Sequence, residues 1–185
     1  MEYSDSKRVE VRFAGVGGGG LLTAGKVLAE AAFPTYPFVS WCPSYTIAVR
    51  GGGSESTVIL SQDEIYSPIT EEIEDLVIVT PSKLKHYESG VRSGGVLIVE
   101  SAGLEQEVER QDVRVVKVPA LEIALELGDL RISNFVLLGA YVGTRNPIPA
   151  ELVEEEIEKT FSGNAKVLHQ NKEAFKQGLK FADRI

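Results

Sequence analysis

Four consecutive glycines, Gly17 to Gly20, stand between a segment with the period of a strand and one with the period of a helix. Val9-Glu10-Val11-Arg12-Phe13-Ala14 alternates apolar and polar side chains. Beyond the glycines, Leu21, Gly25, Leu28 and Ala32 share a helical face, which Ala24, Val27 and Ala31 widen. Strand, glycine turn and helix in succession form the opening unit of a parallel α/β sheet. The turn needs glycine where the backbone reverses sharply, takes up positive φ, and lies close to the neighbouring helix. It also aims backbone N–H groups at one point, where the helix dipole favours an anion, commonly phosphate.

Gly15, Gly17 and Gly20 satisfy G-x-G-x-x-G in the strand-to-helix context that the motif requires. A dinucleotide site would add an acidic residue at the end of the second strand, to bind ribose hydroxyls. The next extended stretch, Tyr36 to Trp41, ends without one, and Glu30 falls on the first helix. Two readings stay open: a tight turn packed against a neighbour, or a loop for phosphate or coenzyme A. A second stretch, Ser44 to Gly53, follows the Pro-punctuated segment Phe33 to Pro43. Arg50 sits beside Gly51, Gly52 and Gly53, so its guanidinium and nearby N–H groups can converge on one anion. The alternative is an arginine that fixes a bend or an interface, with Ser44 and Tyr45 orienting the loop through their hydroxyls. The candidate anion or interface residues are Gly17, Gly18, Gly19, Gly20, Ser44, Tyr45, Arg50, Gly51 and Gly52. No residue is assigned to catalysis or to a metal, because His86 and His169 are isolated from any cluster with metal spacing.

The rest of the chain supports an α/β class. Ser54 to Leu60, Asp75 to Thr80, Gly95 to Glu100 and Val113 to Val118 read as strands, the middle two as strands covered on both faces. Helices are expected from Ser82 to about Glu88, from Ala120 to Leu127, from an N-cap at Ser133, from about Ala150, and from about Gln170 to Ala182. Gly139 and Gly143 have the spacing that lets one helix approach another backbone closely. The run Glu154-Glu155-Glu156 reads as a solvated face. The expectation is a single-domain, open, mostly parallel sheet with helices on both faces, Rossmann-like, joined by right-handed crossovers. Within residues 1–185, the α/β core would cover about 8–145 and a helical C-terminal part about 149–184.

A net charge of −8 argues against nucleic acid or an anionic membrane as partner, since either needs a basic face. The polar stretch Met1 to Lys7 and the lack of a long apolar run predict no signal peptide, no membrane span, and a cytoplasmic protein. Cys42 is the sole cysteine, so the chain can form no internal disulfide and cannot by itself hold a four-cysteine iron–sulfur cluster.

The stretches GVGGGGLLTAGKVLAEAA and PSYTIAVRGGGSESTVILS together resemble the gamma subunit of 2-oxoacid:ferredoxin (2-oxoacid:acceptor) oxidoreductases. The likeness continues through DLVIVTPSKLKHY, SGGVLIVES, VPALEIALELG and NFVLLGAYVG, from about Val9 to Gly143. The family loop commonly reads GxGGQG, and Gly19 stands where that glutamine would be. The second family motif, Tyr-Gly-Pro-Glu-x-Arg-Gly-Gly, is matched at Tyr45, Arg50, Gly51 and Gly52, while Thr46-Ile47-Ala48 replaces Gly-Pro-Glu. The resemblance implies a multisubunit enzyme that converts a 2-oxoacid and coenzyme A into acyl-CoA and carbon dioxide, passing electrons to ferredoxin. In that family thiamine diphosphate, Mg2+ and iron–sulfur clusters belong to partner subunits, alpha and beta, with delta a further candidate. It makes this chain an assembly subunit with a contact to coenzyme A, inactive alone and able to self-associate when isolated. The residues agree independently, since no Gly-Asp-Gly with a following Asn is present to hold magnesium and diphosphate. An acidic chain is also a poor direct dock for an acidic ferredoxin, so that contact would be indirect. The alternative from a different class is a free-standing Rossmann-type nucleotide-binding or regulatory module. An autonomous hydrolase would need a serine at a nucleophile elbow, and none is present.

Overall fold

The computed structural model describes residues 7–18, 20–45 and 53–182. Its elements are β1 (Arg8–Val16), α1 (Leu21–Ala31), β2 (Phe38–Tyr45), β3 (Gly53–Ser61), β4 (Asp75–Ile78), α2 (Leu84–Tyr87), β5 (Val96–Glu100), β6 (Arg114–Val118), α3 (Ala120–Glu126), α4 (Ser133–Arg145), α5 (Ala150–Phe161) and α6 (Ala165–Leu179). The strands form one sheet in the order β2-β3-β1-β4-β5-β6. β1, β4, β5 and β6 pair in parallel, while β3 lies antiparallel to both β1 and β2. β2 therefore runs in the direction of β1, and β3 alone is reversed. The reversal has a simple cause: residues 46–52 are too few for a parallel crossover, which takes about a dozen or more.

Alternation along the strands divides the core. Val9, Val11, Phe13, Val77, Ile98 and Val116 face a layer built from α1, α3, α4, α5 and α6. Ala14, Leu76, Ile78, Leu97 and Val99 face the other way, onto Leu84 of α2 and the loop residues Leu104 and Val108. Helices thus lie on both faces, as expected, but very unequally. The polar positions of β1 are buried too. Glu10 is held by Arg8 at 2.6 Å and Arg92 at 2.8 Å. Arg12 donates to the Thr70 carbonyl at 2.8 Å and pairs with Glu55 at 3.6 Å.

α4 has no solvent face over its first ten residues, Ser133 to Val142, as expected for a helix apolar on all sides. It is covered by the sheet on one side and by α6 on the other. A Cβ on Gly139 would run into the Phe175 carbonyl oxygen, and one on Gly178 into the Val136 carbonyl. Gly143 meets Ala182 in the same way, with 2.8 Å between the two Cβ positions. The small residues read from the sequence therefore serve helix packing.

Three details differ from the sequence reading. Ser133 is the first helical residue rather than a cap, because a 3-10 turn over Leu130–Ile132 precedes it, and the Asp129 side chain accepts from the Arg131 N–H instead. The last helix begins at Ala165, where the Asn164 side chain accepts from the N–H groups of Lys166 and Val167. Of the three consecutive glutamates, Glu155 alone is exposed. Glu156 is buried against Lys159 at 3.2 Å, and Glu154 receives Lys176 of α6 at 3.4 Å.

At the lower end of the sheet, the fully buried Asp75 accepts from the Val96 N–H at 2.9 Å, the Tyr141 hydroxyl at 3.1 Å and Arg145 Nε at 3.0 Å. Arg145 also pairs with Glu74. Burial raises the Asp75 carboxyl to about 6, outweighing the Arg145 charge that lowers it. The folded state therefore holds this proton more tightly than the unfolded chain, whose carboxyl titrates near 3.9. The resulting stabilisation is complete below that value and is lost as pH rises through about 6. In denaturant unfolding at pH 4.5 and pH 7, wild type is expected to lose stability relative to Asp75→Asn as pH rises; a pH-independent difference would contradict this. Gly139→Ala is expected to cost about 2 kcal/mol, a Tm fall of roughly 4–8 °C by calorimetry. Gly163→Ala, where a Cβ meets nothing within 4 Å, is expected to leave Tm unchanged.

Candidate functional site

The glycine turn occupies the place where this sheet changes direction of build. From β1 the chain passes through α1 to β2 on one side; from β4 it passes through α2 to β5 on the other. The upper ends of β1 and β4 thus form a topological switch point, the position at which open α/β sheets bind ligands. A cleft of about 360 Å³ lies there, lined by Gly17, Gly18, Thr80, Pro81, Leu121, Leu130, Arg131 and Ser133. The Val16 N–H donates to Thr80 Oγ1 at 3.1 Å, tying the glycine turn to the end of β4. Leu121 is fixed by Glu100, whose buried carboxylate accepts from the Leu121 N–H at 2.9 Å and the Ala102 N–H at 2.7 Å. Burial raises the Glu100 carboxyl above its usual range.

On the other side of the turn a cavity of about 350 Å³ lies between α1, α4 and α6, lined by Gly18, Gly20, Thr23, Arg131, Asn134, Phe135, Gln170 and Asn171 among others. Arg131 borders both spaces, its guanidinium paired with Asp129 at 2.6 Å. That hydrogen-bonded pair holds the Asp129 carboxyl down at about 2. Asn134 Nδ2 donates to the Gly20 carbonyl at 2.8 Å. Its Oδ1 is buried without a hydrogen-bond partner among the described residues, a costly state for an amide oxygen. Gly20 is the N-cap of α1 and offers no side-chain acceptor to the first N–H groups of the helix.

The individual glycines differ in what they need. Gly18 and Gly20 have φ of +96° and +69°, which side chains resist. A Cβ on Gly20 would also stand 2.7 Å from Asn134 Nδ2. Gly17 has no such demand from the described residues: its φ is not positive, and among them a Cβ would meet nothing within 4 Å. Gly19 lies outside the described residues, as do Arg50, Gly51 and Gly52. Ser44 is exposed near the end of β2, and Tyr45 pairs with Ser54 as the last residue of that strand. Val16 pairs with Gly53, so the glycine turn follows β1 at the same edge of the sheet at which β3 begins.

The neighbour of β1 at this edge also accounts for the missing ribose acid. In a dinucleotide fold that neighbour is a parallel strand ending in Asp or Glu. Here it is β3, which begins at the edge with Gly53-Ser54, and Glu55 turns to the opposite face, where the Tyr87 hydroxyl donates to it at 2.9 Å. Thr80, Arg131, Ser133 and Asn134 were not singled out for the site from sequence. The sole signal was the position of Thr80-Pro81 just past an apolar strand. Among the described residues there is no group of three or more His, Cys, Asp or Glu able to hold a metal ion. No helix among them is long and apolar enough to cross a membrane.

The fold is an open α/β domain with a glycine-lined cleft at its switch point. The chain belongs to the pyruvate ferredoxin/flavodoxin oxidoreductase family, whose model matches residues 10–181. It is 32% identical to the ketoisovalerate oxidoreductase subunit VorA of Methanothermobacter marburgensis over 98% of its own length, but it spans only 38% of that relative. It is 33% identical to the pyruvate/ketoisovalerate oxidoreductases common subunit gamma of Thermococcus litoralis, covering 84% of this chain and 88% of the relative. Among solved structures it resembles the gamma subunit of a keto/oxoacid ferredoxin oxidoreductase from Geobacter sulfurreducens, with a TM-score of 0.81, 28% identity, and coverage of 96% and 97% of the two chains.

Gly20→Ala is expected to lower Tm by several degrees through its φ and its clash with Asn134, whereas Gly17→Ala is expected to unfold as wild type does. Equal Tm values for the two variants would contradict this account of the turn.

Proposed function

We propose that this chain is a gamma-type subunit of a multisubunit 2-oxoacid:ferredoxin oxidoreductase, the CoA-acylating oxidative decarboxylation of a 2-oxoacid being carried out by the assembly. The observation that carries this reading is the match to a gamma subunit along nearly the full length of both chains. Folded as one domain, the chain supplies assembly contacts and a surface near the coenzyme A or cofactor site. Thiamine diphosphate, Mg2+ and the iron–sulfur clusters are held by alpha and beta subunits, with delta a further candidate, and ferredoxin meets those subunits in the cytoplasm. With Cys42 as its sole cysteine, the chain has no set of ligands for a cluster. The choice of oxoacid resides mainly in those partners. In support, one relative is named as common to pyruvate and ketoisovalerate oxidoreductases.

The upper edge of the sheet, with the 17–20 turn and the 44–53 segment, faces the partners. Gly17 supports this placement, since its φ is not positive and no contact among the described residues requires glycine there. Arg50 and the glycine N–H groups approach an anionic group at that interface, either the coenzyme A pyrophosphate or the cofactor diphosphate. In the assembled enzyme, Arg50→Ala is expected to raise the apparent KM for coenzyme A about tenfold or to cause loss of thiamine diphosphate. Normal assembly, coenzyme A response and cofactor content in that variant would overturn the anion role. Loss of assembly alone would assign Arg50 to the interface.

The switch-point cleft favours one second reading, a free-standing nucleotide-binding module. Calorimetry of the purified chain with NAD, FAD, ATP and coenzyme A separates the two: micromolar binding of a nucleotide by the isolated chain supports the module.

A further inference from the structure

Among the described residues β2 is the last strand on its side of the sheet, and none of them forms a strand beside its outer edge. Edge strands are normally protected by charge, proline or a covering element, because an open edge is a template for another strand. This one carries almost no protection. Residues 31–49 contain no Asp, Glu, Lys or Arg, in a chain that is 25% charged. Pro37 precedes the strand and Pro43 lies near its far end, leaving Phe38 to Cys42 free of proline. Large apolar side chains are exposed on the strand, Phe38 at 39% and Trp41 at 37%, and in the turn before it, Phe33 at 64%. Beside the edge is a cleft of about 450 Å³ walled by Phe33, Pro37, Phe38, Ile65 and Pro68, with Glu64 at its rim. From the loop that carries Ile65 and Pro68, Tyr66 and Ile69 also stand exposed.

We propose that the open edge of β2 is a strand-addition site for an extended, uncharged segment of a partner subunit, one of whose apolar side chains fills the cleft at Phe33 and Phe38. This rests on the gamma-subunit reading above. Main-chain hydrogen bonds to the exposed edge supply affinity in such an arrangement, and the cleft selects a side chain on alternate positions of the added strand. Charge decides between occupants. Pairing two copies of this chain would bring together two bodies of net charge −8, which repel at long range. A partner segment that is itself uncharged adds no like charge at the edge. The length of a relative points the same way: this chain spans 38% of VorA from M. marburgensis, so in that protein the corresponding region shares one polypeptide with further sequence. The edge also runs directly into the 44–53 segment, which the functional reading turns toward the partners.

Hydrogen–deuterium exchange of the purified chain and of its assembled complex tests the proposal, together with Phe33→Lys/Phe38→Lys, a double substitution confined to exposed side chains. The expected result is at least tenfold slower exchange of outward-facing amides in 38–42 on assembly. The variant should keep the wild-type Tm to within a few degrees and bind its partner at least tenfold more weakly. A wild-type complex in which exchange over β2 is unchanged, and which the variant joins normally, overturns the strand-addition site while leaving the gamma-subunit reading intact. Failure of the wild-type chain to join any thiamine-bearing partner overturns both. A wild-type dimer of the isolated chain, with β2 protected and dissociated by the lysines, assigns the edge to a second copy and overturns the partner segment.

Discussion

The structure depends on the burial of α4 between the sheet and α6. Helix backbones approach this closely only where glycine leaves room, at Gly139 and Gly143 on α4 and at Gly178 on α6. Close approach without cavities is where dispersion and apolar burial contribute most. α4 also connects the two ends of the sheet. Arg145 and Tyr141 in its later turns meet Asp75 at the lower end, and Asn134 in its first turn holds the Gly20 carbonyl at the upper end. The position of the glycine turn is therefore set by a rigid helix rather than by the turn itself. Any shift of α4 would be felt at the switch-point cleft.

Hydrogen-bonding groups collect at that cleft. Backbone N–H groups, Thr80, Ser133 and Arg131 surround the cleft, a set suited to hydrogen-bonding an anion. Such groups position charge; they do not by themselves make or break bonds. Arg131 is already paired with Asp129, so an incoming anion would compete for it or bind beside it. The net charge of −8 disfavours anions at long range, so an anion at this edge would rely on local N–H donors.

Much of the fold was legible in the sequence because β4, β5 and the glycine turn each combine composition and spacing in one short stretch. Ile98 and Val99 read as buried on both faces and are. Less legible was anything decided by elements distant in sequence. Glu154 looked solvated because periodicity within α5 does not reveal that Lys172 and Lys176 of α6 pair with it. Ser133 looked like a cap because the 3-10 turn before it depends on Asp129 bonding forward to Arg131. Asn134 meets Gly20 across more than a hundred residues, and no local pattern announces such a pair. The reversed β3 did leave a trace, in the shortness of the segment before it. For the site, the glycines were visible as a motif, whereas their cleft is a product of strand order.

Oxoacid-dependent reduction of ferredoxin, measured with purified components, tests most directly whether this polypeptide binds for others rather than reacts. The chain alone should give no reduction, partner subunits stripped of it should lose most of their coenzyme A-dependent rate, and adding it back should restore that rate. Turnover by the chain alone, or full activity of partners that lack it, would contradict the account.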